Sequence, residues 1–213
     1  MNDSPSRTDG GHGTAPLTAE NGQDHALFSP PPRSAGPAPA LRAHPRAAPA
    51  PAGQRAYEWA DPMVSAAAAR ELDGITFLRE LIAGRYPPPP IAATLGFGLV
   101  SVEPGKAVFD ITPADYHYNP IGSVHGGVYA TMCDSACGCA VHSMLPAGAF
   151  YTSLDLTVKF IRPITTGTGR LVCEGTVEHF GSRTALATAR LTDSGGKLYA
   201  HATSSCLIFR PSE

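Results

Sequence analysis

The sequence carries little charge. Lys, Arg, Asp and Glu together make up 16% of its 213 residues, and the formal net charge is −2. So small a balance gives no electrostatic footprint for nucleic acid, and no nucleic-acid partner is expected. Long hydrophobic runs are also missing. No stretch approaches the roughly 18 apolar residues of a membrane span, and no membrane partner is expected. The opening MNDSPSRTDGGHGTAPLTAE has no apolar core of the kind a secretory signal needs, so the expected location is cytoplasmic. Cysteine is sparse and odd in number, at five, with no CxxC pair. That excludes a disulfide framework and fits reduced thiols in the cytoplasm. Cys133, Cys137 and Cys139 crowd one segment and, with His142, invite a metal reading. Only Cys133 and Cys137 share a helix face, so they read as small packing residues, and neither metal nor cofactor is expected.

Proline and glycine are plentiful, at 21 and 22, but unevenly spread. Residues 1–60 are rich in Pro, Ala, Gly, Ser and Arg, without helical or strand periodicity. Such a segment buries too little apolar surface to offset the entropy of ordering, and reads as a disordered tail. A true start near Met63 is the alternative. The domain is placed at residues 63–213.

From Asp73 the pattern changes. Ile75, Phe77, Leu78, Leu81 and Ile82 recur at helical spacing, with Gly84 as a cap. Residues 87–90 are four prolines, which should forbid further helix and form a stiff connector. Two short β runs then flank Pro104-Gly105, a hairpin signal. Residues 126 to about 144 read as a helix of small side chains. Four β runs follow, at 150–161, about 170–179, about 183–192 and about 197–209. In the first, strict alternation puts Leu154, Leu156, Val158 and Phe160 on one face and Ser153, Asp155, Thr157 and Lys159 on the other. The third carries Ala185, Ala187, Ala189 and Leu191 on one face, which suits close approach to a helix. The expected fold class is α+β, a curved antiparallel sheet wrapped round one slim central helix.

The segment HYNPIGSVHGGVYATMCDSACGCAVHS carries the chemistry. His125-Gly126-Gly127 opens the central helix, where backbone N–H groups lack helical partners and the dipole is positive. Glycine there lets a ligand oxygen approach the backbone, as an oxyanion hole requires. Asp134 lies within the same helix, flanked at helical spacing by Gly127, Ala130, Thr131, Cys137, Gly138 and Val141, with no cation among them. A carboxylate on such a face is expected to be partly desolvated, its pKa raised and its basicity increased. Gly126 and Asp134 are eight residues apart, about 12 Å along a helix. One carbonyl cannot sit beside both. If both serve one carbonyl, they come from different subunits of a two-fold dimer.

At these residues the sequence resembles the hot-dog-fold acyl-CoA thioesterases of the phenylacetic-acid-degradation type. The resemblance rests on Asn119, the HGG at 125–127, an Asp nine residues after the His, TSLDLTVKFIRP at 152–163 and the late strands, and covers roughly residues 70–210. It implies the hot-dog fold, thioester hydrolysis, an acyl-CoA substrate and a homo-oligomer, with dimers pairing into a tetramer. It also implies roles. Asp134 would attack the thioester carbonyl or activate water, and the Gly126 N–H would donate to the thioester oxygen beside Gly127. Asn119 would position the acyl group or water. Ser153 would orient the water, with Thr152 the neighbouring alternative, and His125 would hold the loop into the helix. The phosphates of CoA need cations, for which Arg162 and Arg183 are candidates and Lys159 a weaker one. The loop 148–151 and the leading helix 73–84 are expected to line the acyl pocket.

Two rival readings remain at this stage. One is an acyl-CoA hydratase or dehydratase pairing His117 or His125 with Asp134 as acid and base. The other is a non-catalytic acyl-CoA-binding protein.

Overall fold

The computed structural model describes residues 53–210; most of the tail expected at residues 1–60 therefore lies outside the described residues. Residues 53–61 run without helix or strand. Three short helices follow: α1 (Pro62–Glu71), α2 (Gly74–Ile82) and α3 (Pro90–Leu95). The hairpin strands β1 (Phe97–Glu103) and β2 (Lys106–Ile111) lead into the central helix α4 (Gly126–His142). Then come β3 (Phe150–Ser153), β4 (Thr157–Phe160), β5 (Leu171–Phe180), β6 (Thr184–Asp193) and β7 (Leu198–Phe209). The strands form one antiparallel sheet in the order β1-β2-β5-β6-β7-β3, with β4 also paired to β7.

The sheet curves round α4 because both surfaces are built to come close. Ala185, Ala187, Ala189 and Leu191 of β6 are all at most 3% exposed, as the alternation predicts. Gly175 of β5 lies directly under the helix: a Cβ there would stand 2.1 Å from the carbonyl oxygen of Ala136. On the helix, Met132, Cys133, Ala136, Cys137, Ala140 and Val141 are wholly buried against the strands. Small side chains thus set the helix-to-sheet distance.

The structure departs from the sequence reading in three places. Helix α1 is an additional element, built on the alanine-rich run PMVSAAAARE with Asp61 as its cap. The proline run does not exclude helix beyond it: Pro90 occupies the first turn of α3, where proline's missing N–H is no loss, and Gly96 ends that helix at φ 71°. Third, the strand expected at 150–161 is broken. Ser153 pairs with Cys206 and Thr157 with Thr203, four steps on one strand against three on β7. The extra residue makes a bulge at 154–156, held by Ser204 Oγ donating to the Asp155 carbonyl (2.8 Å) and Ser205 N–H donating to Asp155 Oδ1 (3.1 Å). A bulge reverses side-chain parity. Tyr151 and Ser153 face α4 before it, and Phe160 faces α4 after it.

Candidate active site

The start of α4 is fixed by His125. This residue is extended, at φ −62° and ψ 137°, and its Nδ1 accepts the Gly127 N–H at 2.8 Å. His125 N–H in turn donates to the His117 carbonyl at 2.8 Å. With the Gly127 donor engaged, the Gly126 N–H is left without an acceptor among the described residues. It opens on a cleft of about 780 Å³ that also touches Asn119, Ile121, His125, Gly127 and Arg162. A Cβ on Gly126 would lie 3.1 Å from the Phe160 ring, which stands edge-on to Tyr129. A side chain there would press on the Phe160 ring and shift it by a few tenths of an ångström, so glycine eases packing as well as access.

Asn119 shapes the loop that feeds the helix. Its Oδ1 accepts from the N–H groups of Ile121 (3.0 Å) and Ser123 (3.3 Å), and its Nδ2 donates to Ser123 Oγ (3.2 Å). Its amide is committed to the loop, so it lines the cleft chiefly as a scaffold.

Asp134 sits elsewhere. Ser153 Oγ donates to its Oδ1 at 3.2 Å. The expected desolvation is not met within the single chain, because Asp134 is exposed. The reason is the curvature of the sheet, whose two edges do not meet. Gly127, Thr131, Asp134, Ser135, Cys139 and His142, three or four residues apart except for the adjacent pair 134 and 135, form a stripe of α4 that is not fully covered. Thr152, also exposed, alternates with Ser153 and points to the other face of β3.

The candidate cations divide between the two ends of the sheet. Arg162 borders the Gly126 cleft, and its guanidinium donates to the Leu198 carbonyl. Arg183 lies in the turn before β6; its neighbour Thr184 pairs with Leu207, which pairs with Thr152. It therefore stands at the Ser153 end. Lys159 lies exposed on β4, on the face away from α4. The chain thus brings Asn119, His125, Gly126, Gly127 and Arg162 into one cleft, and Asp134 and Ser153 into a separate pair.

Two features escape the sequence reading. His117 is buried at 3% exposure, its Nδ1 accepting the Ala114 N–H (3.0 Å) and its Nε2 lying 2.7 Å from the Leu95 carbonyl. A neutral ring with the proton on Nε2 satisfies both. The second is an apolar chamber of about 300 Å³ under α1 and α2, with Phe77, Leu78, Pro88, Phe109, Cys139 and His142 in its walls. The leading helix lines this chamber, whereas the loop 148–151, expected to join it in an acyl pocket, does not. Chain position gave no signal for it, because its walls come from six separate segments.

Comparison with known proteins now bears on this geometry. Residues 121–200 match the family model described as the thioesterase superfamily. Human acyl-coenzyme A thioesterase 13 is 30% identical over 125 residues, 58% of this chain and 88% of that protein. A Halobacterium salinarum protein named provisionally as an esterase is 40% identical over 68 residues, but there the chain spans only 43% of the relative's length. Among solved structures, a Ralstonia eutropha protein described as phenylacetic acid degradation-related matches with a TM-score of 0.56 and 30% identity, over 61% of this chain and 98% of that one. Curved sheet, small-residue helix and these matches agree: the chain belongs to the thioesterase superfamily, and is a thioester hydrolase with the hot-dog fold.

Proposed function

We propose that the chain hydrolyses acyl-CoA thioesters in a site shared by two copies, Asp134 coming from one and the Gly126 N–H from the other. The observation that carries this reading is the separation of the two groups. They stand about 12 Å apart along one straight helix, and the cleft at Gly126 does not include Asp134. The outer edge of β3 and β4 supports a second copy there. It has no strand partner among the described residues and exposes Phe150, Leu154 and Phe160. An uncovered apolar edge is a liability that pairing removes. A dimer, and from the family resemblance a tetramer, follows.

In the reaction, Asp134 takes a proton from a water that Ser153 helps to orient. The water oxygen attacks the thioester carbonyl, and the developing oxyanion is held by the Gly126 N–H at the helix start. The tetrahedral species collapses, the C–S bond breaks, and the proton on Asp134 passes to the sulfur. The products are a free acid and the CoA thiol. Arg162 and Arg183, at opposite ends of a protomer, supply one guanidinium from each chain for the CoA phosphates. Five free cysteines, four of them buried, suit action in the cytoplasm. A hydratase would need a free imidazole beside the carboxylate, whereas His117 has both ring nitrogens engaged.

The test is release of free thiol from a panel of acyl-CoA thioesters by the purified full chain. Single turnover in ¹⁸O-water should leave the label in the acid alone. Label in Asp134 would make it the nucleophile, and no thiol release from any substrate by folded protein would leave a binding protein instead.

A further inference from the structure

We infer that His117 is a positioning residue for the reaction: its buried imidazole sets the aim of the Gly126 N–H by holding the carbonyl to which His125 is tied. This deepens the thioesterase reading above and rests on it, since the Gly126 N–H is there the donor to the oxyanion.

One peptide plane aims the donor. A peptide unit is planar, with its C=O and the following N–H on opposite sides. The unit between His125 and Gly126 therefore points its N–H away from its own carbonyl. Three hydrogen bonds hold that unit. The His125 carbonyl accepts the Val128 N–H at 2.9 Å, His125 Nδ1 accepts the Gly127 N–H at 2.8 Å, and the His125 N–H donates to the His117 carbonyl at 2.8 Å. The first two lie within residues 125–128 and turn with the helix start as one body. Of the three, only the last ties that body to another segment.

The His117 carbonyl is fixed in turn by its own ring. His117 is 3% exposed, and both ring nitrogens are engaged. Nδ1 accepts the Ala114 N–H at 3.0 Å, and Nε2 donates to the Leu95 carbonyl at 2.7 Å. An N–H only donates and a carbonyl only accepts, so one tautomer in one orientation serves both. Leu95 is the last residue of α3, where carbonyls lack helical partners. The bond to it spans 22 residues of chain and fastens the 115–117 turn to the end of that helix. The Tyr116 ring covers the imidazole, with centroids 4.2 Å apart. His117 also shares the wall of a small void with Val124, Val128, Tyr129 and Met132, which places it beside the first turns of α4.

The loop between the two histidines thus has two anchors with different duties. Its tip is closed by Asn119, whose N–H donates to the Ser123 carbonyl at 2.8 Å and whose side chain holds Ile121 and Ser123. Its base is closed by the bond from His125 to His117, with Tyr118 bridged to Val124 beside it. The base ends one residue before Gly126, so a shift there turns the donor, whereas a shift at the tip alters the approach to the cleft. A donor to an oxyanion acts on charge that develops in the transition state. Turning it away therefore costs rate and leaves substrate binding in place.

The experiment measures octanoyl-CoA hydrolysis by the full chain and by its His117→Ala, His117→Gln and His117→Asn variants, with circular dichroism to verify folding. It also records the infrared carbonyl stretch of a bound ketone analogue of octanoyl-CoA, in which a methylene replaces the sulfur and the carbonyl carbon is ¹³C. His117→Ala should lower kcat by about thirtyfold while KM stays within about twofold. The stretch, drawn to lower frequency by wild type, should move back up in that variant. His117→Gln, whose amide nitrogen stands near Nε2 and donates to the Leu95 carbonyl, should recover both readouts. His117→Asn reaches only the Ala114 N–H and should recover neither. If His117→Ala does not fold, the contrast between Gln and Asn decides in its place. Wild-type kcat in His117→Ala, a loss carried by KM with the stretch unmoved, or recovery by Asn and not by Gln overturns the positioning role alone. A ketone polarised through His117 in this way, with no thiol released from any acyl-CoA, overturns the proposed function and keeps the positioning role.

Discussion

Ser153 Oγ stands 3.2 Å from Asp134 Oδ1, joining the edge strand to the middle of the central helix. If Asp134 is the base, its replacement by Asn should lower kcat by at least about a hundredfold without loss of fold. Ser153→Ala should be milder, about tenfold in kcat with little change in KM, since it removes one hydrogen bond that orients and not one that binds. Steady-state thiol release, with circular dichroism to verify folding, checks both. Near-wild-type turnover in Asp134→Asn would remove Asp134 from the reaction.

The shared site makes a stricter demand. Asp134→Ala chains and Gly126→Pro chains should each be inactive alone. Proline at 126 deletes the donor N–H yet suits the first turn of a helix, and His125 already has the extended backbone a residue before proline adopts. Mixed at random, half the dimers are hybrids with one intact site of two, so about a quarter of wild-type activity should return. Absence of recovery despite proven subunit exchange would place the whole site within one chain.

Gly175→Ala should be among the most damaging single methyl additions. The new carbon would meet the Ala136 carbonyl, a backbone atom that cannot swing aside. A loss of about 3 kcal/mol in urea unfolding is expected, or failure to fold. A loss under about 1 kcal/mol would show that the helix and sheet can part more easily than their packing suggests.

Acid should act through His142. Its imidazole is held below the ordinary histidine value by burial, so the unfolded chain binds the proton more readily than the folded one. The resulting stability is complete above the unfolded value of about 6.5 and declines as pH falls below it, at no more than about 1.4 kcal/mol per unit. Melting curves taken at about pH 7.5 and 5.5 should show a larger drop for wild type than for His142→Phe. Equal drops would mean that the imidazole titrates as freely in the fold as out of it.

The N-terminal boundary is open to a simple comparison. Arg55 donates to the carbonyls of Ala93 and Thr94 and lies over the Tyr116 ring at 4.2 Å, and Asp61 caps α1 through the Met63 N–H at 2.9 Å. A chain beginning at Met63 should melt a few degrees below one beginning at Gly53, reflecting a lost cap and an exposed cation–π contact worth about 1–2 kcal/mol together. Identical melting temperatures would assign residues 53–62 no part in stability.

Much of this was readable along the chain. Periodicity marks α2, α4, the hairpin and β5 to β7 within a residue or two, because each buries one face at a regular interval. The HGG and Asp134 stand out for a different reason: glycine at a helix start and a carboxylate within a helix both run against local preference. Helix α1 escapes notice because alanine runs have propensity without a stripe. The pairing of Ser153 with Asp134 contradicts strict alternation, which would set Ser153 and Phe160 on opposite faces. Nothing in LDL betrays the bulge, since it is made by bonds from Ser204 and Ser205, fifty residues away. The chamber is likewise a product of distant segments meeting.

The bulge at 154–156 also makes this stretch sensitive to number more than to kind. It works as a phase shift between two halves of one edge strand, so beyond the Asp155 carboxylate that Ser205 holds, its length matters more than its composition. Deleting a single residue would restore unbroken alternation and turn one half over. Either Ser153 would leave Asp134, or Phe160 would leave the glycine at the helix start. A one-residue deletion here is therefore a different kind of change from any substitution: it forces a choice between the two halves of the site.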